Sequence, residues 1–309
     1  MIVNTGSRTD IPAFYSEWIF NRLKAGFVYV RNPYFPKLVH SYRLDPEVVD
    51  LLSFCSKNPG PMLPRLDELS AYECFFFVSI TPYGKRIEPN VPDKNVVIDS
   101  TIALANHLGP NRVAWRYDPI FIDKTYTEEY HLRAFRKIAS ALSGHIAFCV
   151  ISFIDLYEKT KRNFPGVNAV EPETQLRLGK KLAKIASEYG IKIYSCLENP
   201  ELSRFGIDTS GCFSKEVAEK ALGYKLIVPP AKKGARQGCS CLLGNDIGAY
   251  NSCPHGCLYC YANYDKSLVM ENFAKHDQNS PLLIGHLEEG DKVVEAKQIS
   301  YKSRQVSLF

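Results

Sequence analysis

The chain has 309 residues, 45% of them hydrophobic and 23% charged, with 38 Lys and Arg against 33 Asp and Glu for a formal charge of +5. That profile describes a globular protein with ample core and excludes disordered, fibrous and membrane classes. No apolar run approaches the roughly 20 residues that span a bilayer. The opening Met-Ile-Val-Asn-Thr lacks the basic flank and apolar stretch of a secretory leader, so a cytoplasmic location is expected.

Apolar, β-rich stretches at residues 2–4, 48–54, 74–81, 112–117, 146–153 and 191–196 predict strands. Amphipathic segments between them predict helices at 12–25 (with Asp10 as N-cap and Gly26 as terminator), 99–108, 127–142 and 172–189, followed by one more at 214–222. Residues 27–44 read as a β-hairpin inserted after the first helix. Strand–helix alternation implies parallel strands joined by right-handed crossovers. The expected fold is α/β, an incomplete parallel (βα)6 barrel of TIM-like type over residues 1–228. A cysteine-rich iron–sulfur module at 229–265 and a C-terminal extension at 266–309 follow.

In parallel barrels the reacting groups sit where strands end. Those ends are polar throughout: Ser7 to Asp10 with Arg8 among them, Lys57 and Asn58, Thr81 to Lys85 with Tyr83, Arg116, Tyr117 and Asp118, Ser152 and Asp155, then Glu198 and Asn199. Singly, each reads as a solvated loop residue or helix cap, and Arg116 with Asp118 as an ion pair tying loops together. As a row they read as one lined mouth.

Ten cysteines are unevenly spread. Cys55, Cys74 and Cys149 stand alone in apolar surroundings and read as core, since free cysteine packs as a small hydrophobe. Cys196, Cys212, Cys239, Cys241, Cys253, Cys257 and Cys260 crowd the last third. In a chain without a leader that crowding argues for metal ligation or redox chemistry over disulfides. Cys253, Cys257 and Cys260 form C-x3-C-x2-C on a loop shaped by Pro254 and Gly256. Three thiolates so spaced can each take one iron of a [4Fe–4S] cube and leave the fourth iron open. A zinc knuckle completed by His255 or another cysteine is the alternative. Cys196, Cys212, Cys239 and Cys241 suffice for a second, closed cluster; otherwise Cys196 and Cys212 are packing residues and Cys239/Cys241 an exposed, redox-labile pair.

The triple-cysteine loop, with aromatic Tyr259 before its last cysteine, resembles the radical S-adenosylmethionine superfamily. From residues 1 to 265 the chain resembles bacterial proteins known as a domain of unknown function and described as DNA-repair-photolyase-like. Its landmarks are Ser7-Arg8-Thr9-Asp10-Ile11-Pro12, Lys57-Asn58-Pro59, Trp115-Arg116-Tyr117-Asp118-Pro119 and the 239–263 block. More distantly, Cys257-Leu-Tyr-Cys-Tyr-Ala is similar to spore photoproduct lyase. The resemblance implies a lyase-type radical enzyme whose open iron chelates S-adenosylmethionine, with electrons from a flavodoxin or ferredoxin. Tyr259, Glu198 and Asn263 would then hold the cofactor. Arg8, Asp10, Lys57, Tyr83, Arg116 and Asp118 would hold cofactor and substrate, and Tyr117 would relay hydrogen. The resembled enzymes carry their cysteine loop after the first strand, whereas here it follows the last; no Gly-Gly-Glu element is present.

From Lys297 the tail is basic, and Gln305, Leu308 and Phe309 are similar to the peptide by which bacterial repair proteins dock onto the sliding clamp. A frayed or folded-back end is the alternative. DNA is the expected partner and DNA base repair or modification the expected activity. A non-catalytic metal-stapled adaptor, and a radical enzyme acting on a small metabolite, remain as alternatives.

Overall fold

The computed structural model describes residues 1–228, 239–242 and 244–303. The clamp-like Gln305, Leu308 and Phe309, and the whole segment 229–238, lie outside them. Six strands form one parallel sheet: β1 (Ile2–Asn4), β4 (Leu51–Ser56), β5 (Cys74–Ser79), β6 (Val113–Ile120), β7 (Cys149–Phe153) and β8 (Ile193–Ser195), hydrogen-bonded in that order. β2 (Phe27–Arg31) and β3 (Leu38–Arg43) stand outside that sheet and form the expected antiparallel hairpin. Connections run through α1 (Ile11–Phe14) and α2 (Ser16–Ala25), a 3-10 segment at Gly60–Leu69, α3 (Lys94–Leu108), α4 (Glu128–Leu142), then α5 (Glu158–Asn163) and α6 (Pro172–Glu188). α7 (Lys215–Leu222) follows β8.

Neighbouring strands that are successive in sequence and joined through helices are what a partial barrel requires. β1 and β8 do not pair. Single bridges step across the gap instead: Ser195 N donates to Asp208 O at 2.9 Å, Leu242 N to Phe213 O at 2.9 Å, and Ile247 N to Asn4 O at 3.0 Å. Strand alternation splits the apolar residues into two sets. Leu52, Phe54, Phe76, Trp115 and Ile151 pack outward on the helices, against Trp18, Leu104, Phe135 and Leu182. Ile2, Leu51, Phe75, Phe77, Ala114 and Val150 face inward, where Phe213, Val217, Leu222 and Tyr301 plug the interior. The inner positions further along are Ser53 and Cys55 on β4, Arg116 and Asp118 on β6 and Ser152 on β7, so the inside turns polar toward the strand C-termini.

Two helices depart from expectation. The helix read at 12–25 is broken at Tyr15 (φ −133°, ψ 27°), because that buried side chain turns its hydroxyl to the Ser252 carbonyl and contributes no helical backbone. α3 begins at Lys94, five residues before the predicted start at 99; Asp93 caps it by accepting from Asn95 N at 2.9 Å, ahead of a β-branched Val-Val-Ile run that masks the period. The extension after residue 265 is structured. It contains α8 (Lys266–Ala274) and β9 (Lys292–Glu295), which pairs in parallel with β3. Trp18 Nε1 and Arg22 Nη2 donate to the carbonyls of Ser280 and Asn279 at 2.9 and 3.0 Å, fastening the extension to α2. Among the described residues no helix is long and apolar enough to cross a membrane.

Candidate metal centre at the strand ends

The triple-cysteine loop has no regular structure, and side chains from the strand-end loops hold it in place. Leu258 N donates to Ile87 O at 3.0 Å and Asn90 N to His255 O at 3.2 Å, joining it to the loop after β5. Tyr261 Oη donates to Ser7 O at 2.7 Å, after β1. Asn163, at the end of α5, donates to Asn263 O at 2.7 Å and Cys260 O at 3.5 Å. Within the loop, Asn263 Nδ2 donates to Cys253 O at 2.6 Å and Asn251 N to Ala262 O at 3.1 Å, closing it into a ring. Cys253, Cys257 and Cys260 therefore lie over the C-terminal ends of the strands.

Asp10 is the hub beneath. Its Oδ1 caps α1 by accepting from Ala13 N at 3.0 Å, and its Oδ2 accepts from Lys57 N at 2.7 Å and faces His255 Nε2 at 2.8 Å. His255 Nδ1 is 3.4 Å from Asn90 O. Both ring nitrogens are thus engaged by the protein, which removes His255 as a fourth metal ligand. Among the described residues no group of three or more His, Cys, Asp or Glu converges as one ion requires. A cluster takes one thiolate per iron and so tolerates wider spacing than zinc, whose four ligands crowd one atom. The donor set is three thiols on one tight loop, with His255 already engaged.

Glu88, which the sequence reading passed over, anchors the other side. Its carboxylate accepts from Lys57 Nζ at 2.9 Å and Thr81 Oγ1 at 2.7 Å, and also from Lys94 Nζ and the Tyr259 hydroxyl. It is 1% exposed. Burial pushes its pKa up, but the two lysines outweigh that and hold it at about 2. Lys57 also lies 5.4 Å from the centre of the Tyr259 ring. Burial raises the Cys257 thiol pKa to about 12 against the lowering pull of Lys57. Metal ligation would have to displace that proton.

A family model described as "Domain of unknown function (DUF1848)" matches residues 2–262. The chain belongs to that family. No curated protein matches it. In this DUF1848 chain the other sequence-selected residues fall into three groups. Arg116 and Asp118 pair on the inner face, Nη2 to Oδ2 at 2.5 Å, and Glu198 accepts from Ser152 Oγ at 2.7 Å and Phe153 N at 2.9 Å. Burial raises the Glu198 pKa to about 7 despite those two bonds, with Asp118 and Asp155 adding to the rise. Arg8 is drawn to the segment before the cysteines, 3.6 Å from Asp246 and over the Tyr250 ring at 5.6 Å.

Two tyrosines lie elsewhere. Tyr117 points outward, bonded to His131 Nδ1 at 2.8 Å and packed on Phe135, so it cannot relay hydrogen at the mouth; strand alternation puts it opposite Arg116 and Asp118. Tyr83 is buried, its hydroxyl donating to Pro119 O at 2.8 Å and its ring stacked on Phe121 at 4.4 Å, so it supports the loop from below and offers no free group. Cys74 and Cys149 are buried in the outward core, while Cys55 is half-buried on the inner face.

Proposed function

We propose that this chain is an iron–sulfur enzyme of the radical S-adenosylmethionine type, built on an incomplete (βα)6 barrel and acting on nucleic acid bases. The observation that carries the reading is the loop itself: three thiols held over the strand ends while His255, the nearest alternative ligand, spends both nitrogens on Asp10 and Asn90. Cys253, Cys257 and Cys260 would hold the cluster, which supplies an electron for reductive cleavage of the S-adenosylmethionine sulfonium, with a flavodoxin or ferredoxin as donor.

The chain's own groups prepare the site. Tyr83, Phe121, Tyr126 and Ile154 form an apolar floor on which Leu258 and Tyr259 rest, keeping water from the loop's underside. The Lys57–Glu88–Tyr259 network fixes the loop's height. Arg116, Asp118 and Glu198 present charge and hydrogen-bonding groups to the interior, and Glu198 exchanges its proton near neutrality. At the rim, Lys159 Nζ lies 4.7 Å from both the Tyr250 and Tyr264 rings, and exposed Tyr157 and Tyr261 stand 6.1 Å apart. Cations for phosphates beside exposed rings for bases are the elements of a single-strand binding surface. A base would reach the interior flipped from its stack.

Anaerobic purification and reconstitution tests the first part. A brown protein that cleaves S-adenosylmethionine under dithionite is expected, with cleavage abolished in Cys257→Ala; a colourless protein holding zinc and no iron overturns it. For the substrate, fluorescence anisotropy with a single-stranded oligonucleotide should show binding that weakens with salt and in the Lys159→Ala, Tyr264→Ala double variant. Binding indifferent to both would turn the reading toward a small metabolite.

A further inference from the structure

A second set of thiols gathers elsewhere in the fold. Cys196 follows β8, Cys212 precedes α7, and Cys239 and Cys241 follow the segment after α7, so three separate pieces of chain deliver them. Cys212 Sγ and Cys241 Sγ are 3.2 Å apart. Cys239, Cys241 and Cys196 line a common cavity of about 170 Å³. We infer that Cys196, Cys212, Cys239 and Cys241 form a closed iron–sulfur centre, distinct from the loop at the strand ends and independent of whether that loop binds S-adenosylmethionine.

Several features point to a bound inorganic body in place of mere packing. Backbone N–H groups already aim at the sulfurs: Phe213 N donates to Cys241 Sγ and Cys241 N to Cys239 Sγ, each at 3.4 Å. Arg116 Nη1 donates to Cys212 Sγ at 3.8 Å, placing a fixed cation beside the group. Such donors offset the negative charge that thiolates bring to a cluster. Cys196 and Cys239 are half-buried at the edge of the inner apolar plug.

The backbone is bent to assemble the set. Gly211 has φ +120°, and a Cβ there would stand 2.4 Å from Ser240 Oγ, so glycine is what lets the 211 and 240 turns touch. Leu197, directly after Cys196, is a non-glycine residue in the left-handed region at φ 57°. The cavity also favours a cluster over zinc: about 170 Å³ is more than ten times the roughly 10–15 Å³ that one water needs, and a lone ion tetrahedrally wrapped by sulfur leaves no such void. A cluster's ligand sulfurs sit at separate corners, so binding requires Cys212 and Cys241, now 3.2 Å apart, to move apart.

The test is iron and zinc content of the full chain, reconstituted anaerobically with ferrous iron, sulfide and a thiol reductant that keeps Cys212 and Cys241 from joining. About eight irons per chain are expected in the parent, about four in Cys212→Ser, and about four in the triple Cys253→Ser, Cys257→Ser, Cys260→Ser variant. Cys239→Ser, at the half-buried edge of the plug, gives the same loss with less disturbance of the packed interior, should Cys212→Ser fail to fold. Parent-level iron in both Cys212→Ser and Cys239→Ser overturns the inference, as does loss of one zinc in place of iron. Parent-level iron in the triple variant counts instead against the loop's cluster, so the two readings fail separately.

Discussion

The two cysteine groups are built in opposite ways. Cys253, Cys257 and Cys260 come from a single eight-residue stretch, and its surroundings hold it from outside, through Asp10, Glu88 and Asn163. Cys196, Cys212, Cys239 and Cys241 come from three segments and rest on the apolar plug around Phe213. A local motif carries its own geometry and needs only positioning, whereas a dispersed one exists only once the fold is complete. The first should therefore be sensitive to polar contacts at the rim, the second to packing inside.

Glu88→Gln is the sharpest probe of that contrast. It leaves the half-buried Lys57 and Lys94 beside a neutral amide, and removing the buried partner of such a pair costs about 3 kcal/mol. Chemical denaturation at neutral pH should show the loss, and cofactor cleavage should fall, while iron at the inner thiols stays. Because the folded pKa of Glu88 is depressed to about 2 from the usual 4.5, its contribution is complete above pH 4.5 and lost as pH falls through about 2. The stability gap between parent and variant should accordingly narrow on acidification; a constant gap would show that the charge is not what matters.

Phe213→Ala attacks the other side. Phe213 is fully buried, 5.2 and 5.4 Å from the Phe75 and Phe77 rings, and its truncation should cost about 3 kcal/mol and strip iron from the inner thiols before the loop. Equal loss from both sites would erase the distinction. The mildest case is Asn163→Ala, which removes two hydrogen bonds to loop carbonyls and should cost about 1 kcal/mol, seen as faster hydrogen exchange across residues 257–263 with no change near Cys212.

The same contrast explains what could be read in advance. Strand positions, the 27–44 hairpin and the capped helix starts at Thr127 and Ser214 follow from local pattern, and the structure has them. Tyr117 went astray because a run of polar residues after a strand was read as facing one way, although alternation turns every second one outward. Glu88 gave no signal: a lone acid between Ile87 and Pro89 looks like loop, and its lysines are 31 residues before and 6 after it. The break at Tyr15 is likewise set from afar, by a carbonyl at residue 252.

The β9 strand has a consequence for where this fold begins and ends. It covers the outer edge of β3, while Asp291 grips Arg31 with both carboxylate oxygens at 2.7 Å. Severed after residue 265, the polypeptide would present β3's open backbone to any neighbour and leave Trp18 without its acceptor, a recipe for edge-to-edge association. The structured part of the chain thus reaches some thirty residues beyond the stretch that the family model matches, as the distance from 262 to β9 attests.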